Sequence, residues 1–183
     1  MADGSEAKIK ELIEKAEISL ILDTYDDIFS DFDPRSYAER ALSVDFLSET
    51  RREARDKDTG IELNLLIPKA ARNLADEETI KTRLKAYFRK SYRYAKEELS
   101  KRSRQALALV VVGVVIGTAD VYMLSLEGIS PILKSAIEVV LTPASWYTLW
   151  TGFDELMIKP REAEAEKAFY KKMSAAQIIF TPY

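Results

Sequence analysis

Two long apolar blocks stand out in the second half of the chain. Residues 106–126 carry one charged residue, Asp120, and a helix of about 20 such residues matches the roughly 30 Å hydrocarbon core of a bilayer. Residues 132–153 form a weaker block, because Lys134, Glu138 and a proline interrupt it. The alternative, a buried helical hairpin in a soluble protein, is less favoured because such core helices rarely run so long without a polar face. We therefore expect two transmembrane helices joined by a short turn.

Charged residues that flank the two blocks predict their orientation. The connecting turn contains no Lys or Arg, whereas basic residues precede the first block and follow the second: Lys101, Arg102, Arg104, Lys159 and Arg161. Basic flanks remain on the cytoplasmic side of a membrane, and we expect these five side chains to contact lipid headgroups. The pattern thus predicts a multi-pass protein of the inner (plasma) membrane with both termini in the cytoplasm.

Shorter patterns outside the two blocks predict strands and helices. Residues 17–23 (EISLILD), 60–68 (GIELNLLIP) and 177–181 (QIIFT) have the apolar and β-branched composition of strands. Ser43 is a suitable N-cap for a helix, and a long helical pattern begins at Asp76 with an acidic first turn. We expect these elements to form a small α+β domain.

The complete prediction is an α+β membrane protein with a hairpin inserted into one cytoplasmic domain. Further helices are expected over residues 5–16 and 162–175. A free apolar strand at the C-terminal end would be open to pairing with other chains, so we expect it to return to the sheet. The predicted domains are a cytoplasmic α+β domain of about three strands over 1–104, a transmembrane helical hairpin over 105–153, and a returning helix and strand over 154–183.

Composition excludes several classes of chemistry. The 183 residues include no His and no Cys, which excludes disulfides, Cys- or His-ligated zinc, and Ser-His-Asp or Cys-His catalysis. A total of 27 Lys and Arg against 30 Asp and Glu gives a net charge of −3, so there is no overall attraction to nucleic acid. No glycine-rich phosphate loop is present. The chain is therefore predicted to be no enzyme and to need no cofactor.

An acidic turn follows the first predicted strand. Five carboxylates fall within eleven residues: Asp23, Asp26, Asp27, Asp31 and Asp33. Such residues usually cap turns and helix starts, and this is the favoured interpretation. Hard cations such as Ca²⁺ and Mg²⁺ bind oxygen ligands, so the alternatives are a divalent-cation site, which would permit a membrane-tethered metal-dependent enzyme, and a partner-binding loop.

Ionisable residues within the apolar blocks are candidate functional groups. In a hairpin, Asp120 and Glu138 would lie at similar depth with Lys134 one helical turn away, so the favoured interpretation is a self-neutralising polar cluster. An ion or proton path in an oligomer is the alternative. Gly113 and Gly117 form a GxxxG motif, which permits close helix packing.

Basic and tyrosine residues alternate along the helical pattern that leads into the first block, between residues 81 and 104. Such a surface can bind nucleic acid. Because the segment runs towards a membrane, attraction to anionic lipid is the simpler explanation for its last turns. Lipid is therefore the favoured partner of this surface, and nucleic acid the less favoured one.

Three segments of the chain resemble a group of small prokaryotic two-pass inner-membrane proteins without an assigned activity. They are SLILDTYDDIFSDFDPRSYAERALSVDFL, the pair of apolar blocks, and the tail WYTLWTGFDELMIKPREAEAEKAFYKKMSAAQIIF. The resemblance implies the same architecture and no particular activity.

The leading functional hypothesis is a non-enzymatic, membrane-anchored cytoplasmic module. Such a module would bind a protein partner or assemble into a homo-oligomer, with the hairpin as its anchor. The alternative is a small oligomeric ion channel or ion-conducting assembly lined by Asp120 and Glu138. The two hypotheses differ in whether Asp120 and Glu138 line a common ion pathway.

Overall fold

A computed structural model describes residues 18–55, 62–157 and 160–183. The main elements, in chain order, are β1 (Ile18–Ile21), α1 (Val44–Ala54), β2 (Glu62–Ile67), α2 (Leu74–Ser125), α3 (Pro131–Met157), α4 (Pro160–Ala175) and β3 (Gln177–Pro182). The chain divides into two units. The α/β unit comprises the described residues up to Arg93 together with Lys167–Tyr183, and the helical unit comprises Tyr94–Glu166.

A three-stranded sheet with the order β1-β2-β3 organises the α/β unit. Both strand pairs are parallel, with Leu65 opposite Leu20 on one side and Phe180 on the other. The sheet continues past β3, because the Tyr183 N–H donates to the Ile67 carbonyl at 3.1 Å. Parallel sheets are covered on both faces, so their strands are continuously apolar. The described strands lie where the sequence pattern placed them.

One stripe of α2 closes the core over the sheet. Ile80, Leu84 and Phe88 recur every fourth residue, and none of them is exposed. Side chains at this spacing lie on one face of a helix. Phe169 and Met173 of α4 belong to the same apolar cluster, so the first and last parts of the chain share one core.

Helix starts follow the capping chemistry of the sequence. The Ser43 hydroxyl accepts the backbone N–H groups of Asp45 and Phe46, as predicted for the start of α1. At the start of α2, the Asn73 side-chain oxygen accepts the Ala75 N–H at 3.0 Å. The helix predicted over residues 5–16 lies outside the described residues.

The predicted fold class is wrong in its membrane part. It placed a two-helix transmembrane hairpin near the C-terminus, over about residues 106–126 and 132–153. Within the described residues, one helix is long and apolar enough to cross a membrane, namely α2, a 52-residue helix in the middle of the chain. The second helix, α3, falls short because Lys134, Glu138 and several Ser and Thr side chains interrupt its apolar sequence. The chain is mostly helical, with a small sheet.

Replacing the buried Leu84 by alanine should destabilise the α/β unit. The side chain is completely buried, and a Leu-to-Ala change in a core costs about 2–5 kcal/mol. Leu74→Ala, on the same helix with 72% of the residue exposed, should change stability by less than about 0.5 kcal/mol. Urea denaturation of the detergent-solubilised protein, followed by circular dichroism, measures both; equal midpoints would contradict this core.

Candidate functional site

The first part of the acidic turn uses its carboxylates to hold its own backbone. Asp27 Oδ2 accepts the N–H groups of Asp23 at 2.7 Å and Thr24 at 3.0 Å. These bonds stabilise the single 3₁₀ turn, Tyr25–Ile28, that follows β1. Asp26 forms an ion pair with Arg40, 14 residues further along the chain. Two carboxylates are therefore engaged by nearby groups.

The second part of the turn is a loop held by Asp33. Arg35 donates to this carboxylate from Nε at 2.9 Å and from Nη2 at 2.7 Å, and the Ala41 N–H donates at 2.7 Å. The guanidinium of Arg35, followed by the N–H of Ala41, holds the pKa of Asp33 well below its usual value. The Ser30 N–H donates to the Ala41 carbonyl at 2.9 Å. Both ends of this loop are thereby fixed together.

The geometry of this turn does not match that of a metal site. Among the residues that the structure describes, no group of three or more acidic, His or Cys side chains could hold a metal ion. The five residues proposed as ligands are not brought together: Asp23, Asp26, Asp27, Asp31 and Asp33. The hydrogen bonds are those of the favoured interpretation, a loop whose carboxylates cap turns.

A buried ion pair at the carboxyl edge of the sheet was missed by sequence reasoning. Glu77, in the first turn of α2, is 2% exposed. Arg72 donates to both of its carboxylate oxygens, at 2.7 and 2.8 Å, and the Tyr25 hydroxyl donates to one at 3.1 Å. The Asn73 N–H donates to the same hydroxyl at 2.8 Å. The network ties the turn after β1 to the start of α2.

The pKa values of this network follow from the same contacts. The Arg72 guanidinium lowers the pKa of Glu77, against the opposing effect of burial. Burial raises the pKa of the Tyr25 hydroxyl. A buried carboxylate is stable when it is paired and hydrogen-bonded, so this network has the properties of a structural element.

In the helical unit, α2 and α3 approach each other at glycines. A Cβ atom at Gly113 would lie 2.7 Å from Leu149 Cγ, and one at Gly117 would lie 2.7 Å from Ser145 Oγ. On α3, a Cβ at Gly152 would lie 2.6 Å from a methyl group of Val110. The structure therefore places the predicted packing residues Gly113 and Gly117 at a helix contact, and adds Gly152, which has no GxxxG partner in the sequence.

Polar side chains lie between these two helices. Ser145 Oγ donates to the Gly113 carbonyl at 2.9 Å, and Thr142 Oγ1 donates to Asp120 Oδ2 at 2.7 Å. Asp120 is 7% exposed, and its other carboxylate oxygen has no hydrogen-bond partner in the described part of the chain. The contact between α2 and α3 is therefore built from small and polar groups.

The predicted cluster of Asp120, Lys134 and Glu138 is not brought together. Lys134 Nζ donates to the Leu124 carbonyl at 2.8 Å, near the end of α2. Glu138 is exposed, and no ion pair within residues 94–157 joins any two of the three. Asp120 accepts a hydrogen bond from Thr142 while Glu138 is exposed, so the two carboxylates do not lie together within one chain; a path lined by them in an oligomer stays a prediction.

The outward surface of the helical unit is strongly apolar. Only 11% of the most apolar stretch of α2 is buried within the protein. Large side chains that are 53–73% exposed include Val114, Val115, Val121, Val139, Val140, Trp146, Tyr147 and Trp150. Water-soluble domains normally place large apolar groups inside. This unit has the opposite arrangement, with Asp120, Thr142 and Ser145 between the helices and large apolar groups outside.

The residues predicted to contact lipid headgroups have mixed surroundings. Lys101 and Arg104 are exposed on α2, and Arg161 is exposed on α4. Arg102 is also exposed, and its guanidinium pairs with Glu98 at 2.6 Å. Lys159 lies outside the described residues. Three of these cations thus stand next to the start of the apolar stretch of α2.

Comparison with known proteins adds no further information: no family model, no curated protein and no solved structure matches this chain. Function is therefore inferred from the geometry of each unit.

Removing the charge of Glu77 should weaken the protein and change its response to acid. The folded-state pKa of Glu77 lies below the unfolded value of about 4.3. Its stabilising contribution is therefore present above that value and is lost as the pH falls through it towards the folded pKa. Glu77→Gln should cost about 1–3 kcal/mol at neutral pH and should lose less stability than the wild type on acidification.

A matched control for this change is Glu78→Gln, since Glu78 is exposed and pairs with Lys81 at the surface. Urea denaturation at pH 7 and at about pH 3.5 compares stability above and below the unfolded-state pKa of about 4.3. If the wild type and Glu77→Gln lost equal stability on acidification, the buried pair would not contribute as described.

A larger residue at Gly113 should disturb the packing of α2 against α3. Gly113→Val places methyl groups where Leu149 already lies, and overpacking costs about 1–3 kcal/mol. Both tryptophans, Trp146 and Trp150, lie on α3, so their emission during heating in detergent reports this unit. The transition should occur at lower temperature than in the control Ala108→Val, which adds the same groups at an exposed site. Equal transition temperatures would contradict the close contact.

Proposed function

We propose that this protein is a non-enzymatic module anchored in the inner membrane of a prokaryotic cell. The apolar stretch of α2 is embedded in lipid, and the α/β unit lies on the cytoplasmic side, where it binds a protein partner or further copies of the chain. The inverted polarity of the helical unit carries this proposal, because a lipid environment favours large apolar groups outside and small or polar groups between helices.

Energetics support an apolar environment for this surface. Transfer of one Val or Leu side chain out of water is favourable by about 1.5–3 kcal/mol, and α2 exposes many such side chains in one stretch. In hydrocarbon, by contrast, polar side chains need internal partners. Ser145 and Thr142 donate to groups on α2, so these two side chains and one carboxylate oxygen of Asp120 have internal partners.

Basic residues support the cytoplasmic assignment. Lys101, Arg102 and Arg104 immediately precede the apolar stretch of α2, and such flanks are retained on the cytoplasmic side. Because β3 belongs to the same sheet as β1 and β2, all three strands lie on one side of the membrane, and the chain must return to that side between α2 and β3. The same cations favour contact with anionic headgroups.

Composition supports a binding role over catalysis. The sequence contains no His or Cys and no glycine-rich phosphate loop, so the commonest general base, histidine, and the thiolate nucleophile are missing. The most deeply buried carboxylate of the α/β unit, Glu77, is engaged by Arg72 and Tyr25. These groups stabilise the fold and leave the surface for recognition.

Charges introduced into the apolar stretch should release the protein from membranes. Val111 and Val115 are 54% and 61% exposed, and an Arg near a bilayer centre costs about 2.5–3.5 kcal/mol on insertion scales. Val111→Arg with Val115→Arg should therefore abolish flotation with liposomes after an alkaline wash. The control, Thr82→Arg with Ala86→Arg, changes exposed positions on the polar part of the same helix and should float like the wild type. A wild-type protein that remained in the aqueous fraction without detergent would overturn the proposal.

A further inference from the structure

A single aromatic side chain projects from the acidic turn. Phe32 is 98% exposed, more than any other large apolar residue of the described chain. It lies between Asp31 and Asp33 in the loop Ser30–Ala41, called here the Phe32 loop. Exposure of a complete phenyl ring to water is unfavourable, and aromatic residues of this kind often anchor protein interfaces.

The Phe32 loop is held rigidly behind this ring. Its two ends are joined by the bond from the Ser30 N–H to the Ala41 carbonyl and by that from the Ala41 N–H to Asp33. Arg83 of α2 donates to the Arg40 carbonyl from Nε at 3.2 Å and from Nη2 at 3.1 Å. A side chain presented by a rigid loop loses little conformational entropy on binding. The loop therefore has the properties of a preorganised anchor.

An unpaired carboxylate adjoins this anchor. Asp31 is exposed, and no ion pair of the described residues engages it. Asp33 and Asp26, by contrast, are occupied by Arg35 and Arg40. The chemistry of the surface is an apolar ring with one free carboxylate beside it, which is complementary to a basic surface that offers some apolar area.

Such a basic surface is present on the same chain. Lys85, Arg89 and Arg93 follow one another at four-residue intervals on α2 and form what is called here the basic stripe; all three are exposed. No ion pair within the described residues engages them. Like charges at this spacing destabilise a helix by about 0.2–0.5 kcal/mol per pair. An acidic partner would remove this repulsion.

We propose that the Phe32 loop of one copy docks on the basic stripe of a second copy. Phe32 packs on Ala86 and stacks on the guanidinium of Arg89, since cations are attracted to aromatic faces, while Asp31 pairs with Lys85. The proposal rests on the proposed function, because anchoring in one membrane raises the effective concentration of neighbouring copies.

The position of the two surfaces on α2 favours contact between copies. Arg83 holds the Phe32 loop against α2, and the basic stripe begins two residues further along the same helix. Phe32 is 98% exposed, so it does not pack on the stripe of its own chain and remains available to that of another copy. Each copy offers one of each, and the contact repeats head to tail.

Mass measurement of the full-length protein in lipid nanodiscs and in mild detergent tests this contact. The wild type should self-associate, and Phe32→Ala, Asp31→Lys and Arg89→Asp should each weaken association about tenfold or more. Asp31→Lys combined with Lys85→Asp in one chain should restore it, since the charges of the proposed ion pair are exchanged. Val44→Ala, at another exposed apolar residue (79% exposed), is the control and should associate like the wild type.

Cross-linking identifies the surfaces directly, because the chain contains no Cys. Tagged copies with Pro34→Cys, an exposed position of the Phe32 loop that leaves the ring in place, should form mixed disulfides on mild oxidation with untagged copies carrying Ala86→Cys, and none with copies carrying Ser48→Cys, an exposed position on α1. A monomeric wild type, association that survives Phe32→Ala, or equal cross-linking to both cysteines would overturn the proposal. Liposome flotation keeps the two proposals separate: a wild type that floats but is monomeric overturns self-association alone, and Phe32→Ala should float like the wild type.

Discussion

The α/β unit depends on a central strand whose two neighbours come from opposite parts of the sequence. β2 pairs with β1 on one side and with β3 on the other, so the sheet is incomplete until residues beyond 176 have been added. Everything between β2 and β3 is an insertion with respect to the sheet. Because the backbone groups of β2 are paired on both sides, they need no water, and its side chains are buried on both faces.

The helical unit solves the opposite problem, since its helices have no large apolar core between them. Glycines at 113, 117 and 152 bring the backbones close, and Thr142 and Ser145 form hydrogen bonds across the contact. Dispersion and hydrogen bonding therefore replace apolar burial as the source of cohesion. The large side chains remain free to interact with the surroundings, which explains how one chain combines two different packing schemes.

Local sequence patterns predicted the helices and strands better than they predicted the contacts between these elements. Apolar runs predicted the strands, and Ser43 predicted the start of α1, because both depend on neighbouring residues. The Tyr25–Glu77 bond joins residues 52 positions apart, and the pairing of Asp120 with Thr142 depends on how α3 is rotated about its axis. Neither follows from a local pattern. The second membrane helix was predicted wrongly because apolar length was weighed above the polar groups within it.

The end of β3 has a consequence for how the molecule avoids uncontrolled polymerisation. Tyr183 directs its N–H towards Ile67, so the preceding residue, Pro182, directs its nitrogen away from the sheet. That nitrogen carries no hydrogen, and an incoming strand would find no donor there. Addition of a further strand at the β3 edge of the sheet is therefore hindered. Copies of the chain associate through their side chains instead.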